Sequence, residues 1–145
     1  GITFTAESGG GSNSISLASG SGTDLNNLVL EVRANSVQDL YGVAFDLQYP
    51  TTVLRYDSAT AGFLNEGAAQ TSLNLVEASP GTLVVGYTRL GPVGGATGSG
   101  VLLTLRFSAV AAGSGNFAFA QSSAFNPRGD SSAVTWSAGS VQVVR

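Results

Sequence analysis

The stretch Val37–Leu54, VQDLYGVAFDLQYPTTVL, decides the fold class of this 145-residue chain. After the turn-prone pair Gln38-Asp39 it alternates. Tyr41, Val43, Phe45, Leu47 and Tyr49 fall on one side; Gly42, Ala44, Asp46 and Gln48 fall on the other. Successive strand side chains point to opposite faces, so this is the pattern of a half-buried β-strand and not of a helix. Pro50 has no N–H to give a ladder and ends the strand. Val53-Leu54-Arg55-Tyr56 then begins the next one. One face of the strand is apolar and suits a core; the other is small and polar, and is left for a partner.

The same period recurs outward in both directions. Ile2–Ala6, the short run around Ile15 and Leu17, and Leu28–Ala34 read as strands on the N-terminal side. On the C-terminal side follow Thr71–Glu77, Thr82–Leu90, Val101–Ala109, Phe117–Phe119 and two short runs around Ala138-Gly139 that carry Val134, Trp136, Val141 and Val143. Ser79-Pro80-Gly81 and Asn126-Pro127-Arg128-Gly129 have turn chemistry, the latter that of a type I turn. The Gly/Ser run from Ser8 to Ser12 and the glycine-dense Gly91–Gly100 read as loops. Ala59–Gln70 is the least regular stretch; Gly62-Phe63-Leu64 is expected to plug an open end of the core, with room for one helical turn. No longer amphipathic helix is present. Many short strands separated by Gly/Pro turns predict one all-β domain over residues 1–145, a sandwich or barrel. Its expected core includes Phe45, Leu47, Leu103, Leu105, Phe107, Phe119 and Trp136.

Composition narrows the function. Charged residues make up only 10% of the chain, against ~25% in an average domain, and there is no lysine. That leaves no basic stripe for a nucleic acid and no basic amphipathic helix for a membrane surface. No apolar run reaches the ~20 residues of a membrane span, and no stretch has the layout of a secretory signal. Cysteine and histidine are both absent, which removes thiolate chemistry and the commonest general base and metal ligand. A Ser/Thr/Gly-rich β chain of low charge fits an exported module, extracellular, on the cell surface or periplasmic.

Individual motifs yield little chemistry. Arg128-Gly129-Asp130 spells an adhesion tripeptide, but the turn alone accounts for those residue types. Trp136 shares a face with Val134 and reads as core before it reads as a sugar platform. Tyr41, Tyr49 and Tyr56 are placed inside or at the rim, which leaves Tyr87 as the tyrosine available for contact. Asp39, Asp46, Asp57, Glu66 and Glu77 have no spacing that singles out an acid/base pair. Asp24-Leu25-Asn26-Asn27 is the best local calcium candidate, and a weak one. No catalysis, cofactor or required metal is expected.

Four segments taken in order resemble a cohesin-type module: LEVRANSVQDLYGVAFDLQYPTTVL, GTLVVGYTRLG, GSGVLLTLRFSAVAAGSGNFAF and WSAGSVQVV. The resemblance implies a jelly-roll sandwich of about nine strands, with the architecture also seen in carbohydrate-binding domains. In the cellulosomal members one sheet face, built mainly from the third, fifth, sixth and eighth strands, binds the dockerin. VVGYTRLG followed by GSGVLLTLRF is more similar to cohesin-like modules outside cellulosomes, attached to bacterial secretion and pilus machinery or to other exported proteins. Matching Tyr49 and Leu54 to the family's Tyr-Asp-Pro…Leu ending carries the partner face onto Gly42, Ala44, Asp46 and Gln48, then Tyr87 and Arg89, then Ala118 and Ala120. The chain departs from the cellulosomal pattern at Gly42 and Ala44, where Asn and Asp are frequent, and at Pro50, where Asp is usual.

Three functions follow as alternatives. The first is a non-catalytic protein-interaction module that offers this face to a dockerin-like module or another assembly partner. The second is a carbohydrate-binding module, which would need exposed coplanar aromatics; the strand-interior spacing of the aromatic residues argues against polysaccharide. The third is a structural or assembly domain of a secretion or pilus apparatus.

Overall fold

The computed structural model describes residues 1–7 and 11–145. Among the described residues, eleven strands form two sheets. In chain order they are β1 (Ile2–Ala6), β2 (Ser14–Ser19), β3 (Asn27–Leu40), β4 (Gly42–Gln48), β5 (Leu54–Ala61), β6 (Thr71–Ser79), β7 (Thr82–Arg89), β8 (Ala96–Ala109), β9 (Gly113–Phe125), β10 (Thr135–Ser137) and β11 (Gly139–Val143). A six-stranded sheet runs β1-β11-β9-β4-β7-β6 and a five-stranded sheet runs β10-β2-β3-β8-β5. The all-β sandwich predicted from alternation is therefore the observed fold. The count of eleven exceeds the nine implied by the resemblance. One reason is that the last run is cut at buried Ala138, with β10 paired to β2 in one sheet and β11 to β9 in the other.

The core fills the space between the sheets. Phe45, Leu47, Leu103, Leu105 and Phe107 are buried as expected, and Phe119 and Trp136 are half-buried against them. Two aromatic groups knit the layers together. Phe45, Phe119 and Trp136 form a triangle with centroids 5.2–5.6 Å apart. Phe107 meets Tyr49, Tyr56 and Phe117 at 5.2–5.9 Å. Tilted and edge-on contacts of this kind suit the ring quadrupole.

Strand ends depart from the sequence reading where a ladder partner was available. β8 begins at Ala96, inside the expected Gly91–Gly100 loop, and β9 spans Gly113–Phe125 where only Phe117–Phe119 alternates clearly. β5 continues to Ala61; the irregular stretch then forms a short 3₁₀ segment, Phe63–Ala68, that buries Leu64 completely. Tyr41 is not part of the organising strand. It is the corner between β3 and β4, which belong to different sheets, and its hydroxyl donates to the Gly91 carbonyl at 2.7 Å. Ser36 and Asp39 take left-handed φ of 46° and 50° on the approach to that corner. Pro80-Gly81 closes the β6–β7 hairpin with Gly81 at φ 85°, the backbone a type II turn requires. Gly129 N–H donates to the Asn126 carbonyl at 2.9 Å, closing the second predicted turn. The central part of the Ser8–Ser12 loop lies outside the described residues. Among the described residues, no helix is long and apolar enough to cross a membrane.

Candidate partner-binding face

β4 lies at the middle of the six-stranded sheet, between β9 and β7, with β6 at the edge. Its inward residues Val43, Phe45 and Leu47 are buried, so Ala44, Asp46 and Gln48 must point out. The register then composes the outer face row by row. Val76, Val84, Asp46 and Ala120 form one row across β6, β7, β4 and β9. Asn74, Gly86, Ala44 and Ser123 form the next, and Thr82, Gln48 and Ala118 a third. Strands spaced ~4.8 Å apart make these rows roughly 15 Å wide, enough to seat one α-helix of ~10–12 Å diameter. Ala44, Gly86, Ala118 and Ala120 keep the surface shallow. Val76 and Val84, 59% and 38% exposed, add an apolar patch beside Asp46.

Asp46 is the only charged side chain in these three rows. The outer face of the other sheet is different. It carries Glu31 and Arg33 on β3, Arg55 and Asp57 on β5, and Arg106 on β8, with ion pairs Arg33–Glu31 at 2.5 Å and Arg55–Asp57 at 3.2 Å. Interface cores are depleted in such charges, so the two faces of the sandwich are unequal candidates.

Three of the expected face residues are not on this surface. Tyr87 shares its parity with Leu83 and Val85, and all three point inward; Tyr87 is fully buried. Its hydroxyl lies 3.0 Å from the Gly62 carbonyl and 3.2 Å from Asn65 Oδ1. Burial pushes its pKa up, so the hydroxyl stays protonated and can donate. Arg89, 8% exposed, follows the same parity. Its guanidinium donates to the carbonyls of Leu64 at 3.0 Å, Gly94 at 2.8 Å and Glu66 at 2.9 Å. Tyr87 and Arg89 thus fasten the 3₁₀ segment and the loop before β8 to the end of the sandwich. Gly42 does point outward, but the Phe125 ring lies over it. A Cβ placed there would sit 2.4 Å from Phe125 Cζ and 2.8 Å from Thr88 Oγ1. Gly42 is buried because Phe125 packs where its side chain would be.

The residues of these rows missed in the sequence are Asn74, Val76, Thr82, Val84, Gly86 and Ser123. A signal was present: in Thr82–Arg89 the parity of Leu83 and Val85 competes with that of Val84, and choosing Leu83 and Val85 as core would have placed Tyr87 inside. Other candidates resolve locally. Asp24 accepts hydrogen bonds from Asn26 N–H, Asn27 N–H and the Asn27 amide at 2.9–3.0 Å, which hold its carboxyl below the usual range and make it a turn residue. Arg128 and Asp130 pair with each other at 3.4 Å on an exposed turn. Arg33 lies on the opposite sheet.

The family model described as Cohesin domain matches residues 26–143. No curated protein sequence matches the chain. Among solved structures, the second type II cohesin module of the cellulosomal adaptor ScaA scaffoldin of Acetivibrio cellulolyticus is similar at a TM-score of 0.72 and 13% identity, over 92% of this chain and 98% of that one. A non-cellulosomal cohesin from the hyperthermophilic archaeon Archaeoglobus fulgidus is similar at 0.67 and 19%, over 87% of each. The sixth cohesin of scaffoldin B of Acetivibrio cellulolyticus, solved in complex with a dockerin, is similar at 0.65 and 19%, over 88% and 97%.

Proposed function

The chain belongs to the cohesin family, and from that premise we propose that residues 1–145 form one non-catalytic interaction module. It binds a dockerin-type helical partner on the outer face of β9, β4, β7 and β6, outside the cell or on its surface. The observation that carries the reading is the contrast between the two sheets. The β4 face joins small residues, an exposed valine pair and one carboxylate, whereas the opposite face is covered with charge. The contact residues are Ala44, Asp46, Gln48, Val76, Val84, Ala118 and Ala120. A partner helix packs apolar side chains on Val76 and Val84 and brings a hydrogen-bond donor or cation to Asp46. Tyr87 and Arg89 serve by holding the end of the sandwich, and make no contact.

The carbohydrate reading loses its support because the aromatics that would form a platform are spent in packing. Trp136 sits in the triangle with Phe45 and Phe119, and Tyr41 and Phe125 are inclined at 49° to each other. The assembly reading parts from the proposal in one experiment. Wild-type and Ala44→Arg proteins are offered to a panel of purified dockerins and to the native secretome, with matched melting curves. A long charged side chain between Gly86 and Ser123 blocks close approach but changes stability by no more than about 0.5 kcal/mol. The expected result is one partner held by wild type and lost by Ala44→Arg. Equal capture by both proteins moves the site elsewhere; capture by neither favours an assembly role.

A further inference from the structure

We propose that β6 is an association edge through which two copies of this chain pair as antiparallel strands. A sheet edge is a row of unpaired N–H and C=O groups, and folded proteins protect such rows. Three of the four edges of this sandwich are protected. β1 is five residues long and lies alongside β2 of the other sheet. β10 has three residues. β5 carries Arg55 and Asp57 and is broken by a register shift between Tyr56 and Ser58. β6 has none of these devices over most of its length. It spans nine residues with no proline or basic residue, and its ladder with β7 is unbroken from Thr71 to Glu77. Its one charge, Glu77, is turned back on the hairpin, where it accepts from the Tyr49 hydroxyl and from Gly81 N–H.

The hydrogen-bond phase selects a register. Leu90 N–H donates to the Gln70 carbonyl and Arg89 N–H to the Tyr41 carbonyl. Bonding alternates along an antiparallel ladder, so Ser72, Asn74 and Val76 bond to β7, while Thr71, Leu73, Leu75 and Glu77 turn their main-chain groups to the free edge. A two-fold axis at Asn74 pairs Leu73 with Leu75 twice and Thr71 with Glu77 twice, all through groups that are now free. Asn74 faces Asn74 on the outer side, where the two amides can bond to each other. No Glu77 meets another, and the partly exposed Leu73 and Leu75 and the exposed Val76 gain cross-strand neighbours. The result is a twelve-stranded sheet with both β4 faces on the same side, which makes the pair bivalent towards a partner.

Sedimentation velocity of the purified protein across a micromolar-to-millimolar series tests the pairing. The expected mass rises from one chain to two. Leu73→Pro removes a free edge donor but no bond to β7, and should keep the mass at one chain throughout. Asn74→Arg should do the same by setting two guanidinium groups against each other, and so should Asn74→Asp. Mixing the two Asn74 variants should restore the dimer, because the opposite charges then meet across the axis. A wild-type mass that stays at one chain, a dimer that survives Leu73→Pro in folded protein, or a mixture that fails to re-associate overturns the proposal.

Discussion

Replacing Arg89 with alanine tests the reassignment of this residue from contact to support. Its guanidinium serves three carbonyls, and they do not lose equally. Leu64 is fully buried, so its carbonyl stays dry and takes the full cost of a missing donor, ~1–3 kcal/mol. Glu66 and Gly94 are exposed residues. Water can reach their carbonyls, which leaves only the net value of each bond, ~0.5–1.5 kcal/mol. The variant should therefore lose roughly 4 kcal/mol, equivalent to about 8–16 °C in melting temperature for a domain of this size. Urea unfolding of wild-type, Arg89→Ala and Arg33→Ala proteins measures it. Arg33 is half-exposed and paired only with Glu31, so its loss should cost no more than about 1 kcal/mol. An Arg89→Ala protein as stable as wild type but unable to hold a partner would refute the reasoning and return Arg89 to the interface.

Phe107→Ala should cost ~3–5 kcal/mol in the same assay, because the ring is fully buried between Tyr49, Tyr56 and Phe117; a loss below about 1 kcal/mol would contradict its place in the core. Alkali should destabilise the sandwich through Tyr49, whose pKa burial and the Glu77 carboxylate push up to about 12. A pKa raised on folding gives stability that is fully present below the unfolded value near 10 and is lost as pH rises through the folded one. Wild-type stability should therefore fall between about pH 10 and 12, and Tyr49→Phe should flatten that fall; identical profiles would remove Tyr49 as the cause.

Alternation alone was enough for the fold class, because a period of two tells each residue its side as soon as one residue of the strand is known to be inside. Phe45, Leu47, Leu105 and Phe107 could be placed in the core, and Ala44, Asp46 and Gln48 on the outside, on that basis. The low charge and the absence of His and Cys pointed away from catalysis and towards a binding surface without any coordinates. Parity says nothing, however, about what lies over a strand position. Gly42 has the outward parity, yet Phe125, eighty-three positions away in sequence (125 − 42), covers it. Tyr87 and Arg89 are residue types that interfaces favour, but they are equally suited to satisfying a buried turn, and only the approach of Phe63–Ala68 to the end of β7 decides between the two uses. The rows of the face are likewise tertiary facts. Val76, Val84, Asp46 and Ala120 come from four strands, and their adjacency depends on strand order and register, which are set by long-range pairing and leave no local mark in the sequence.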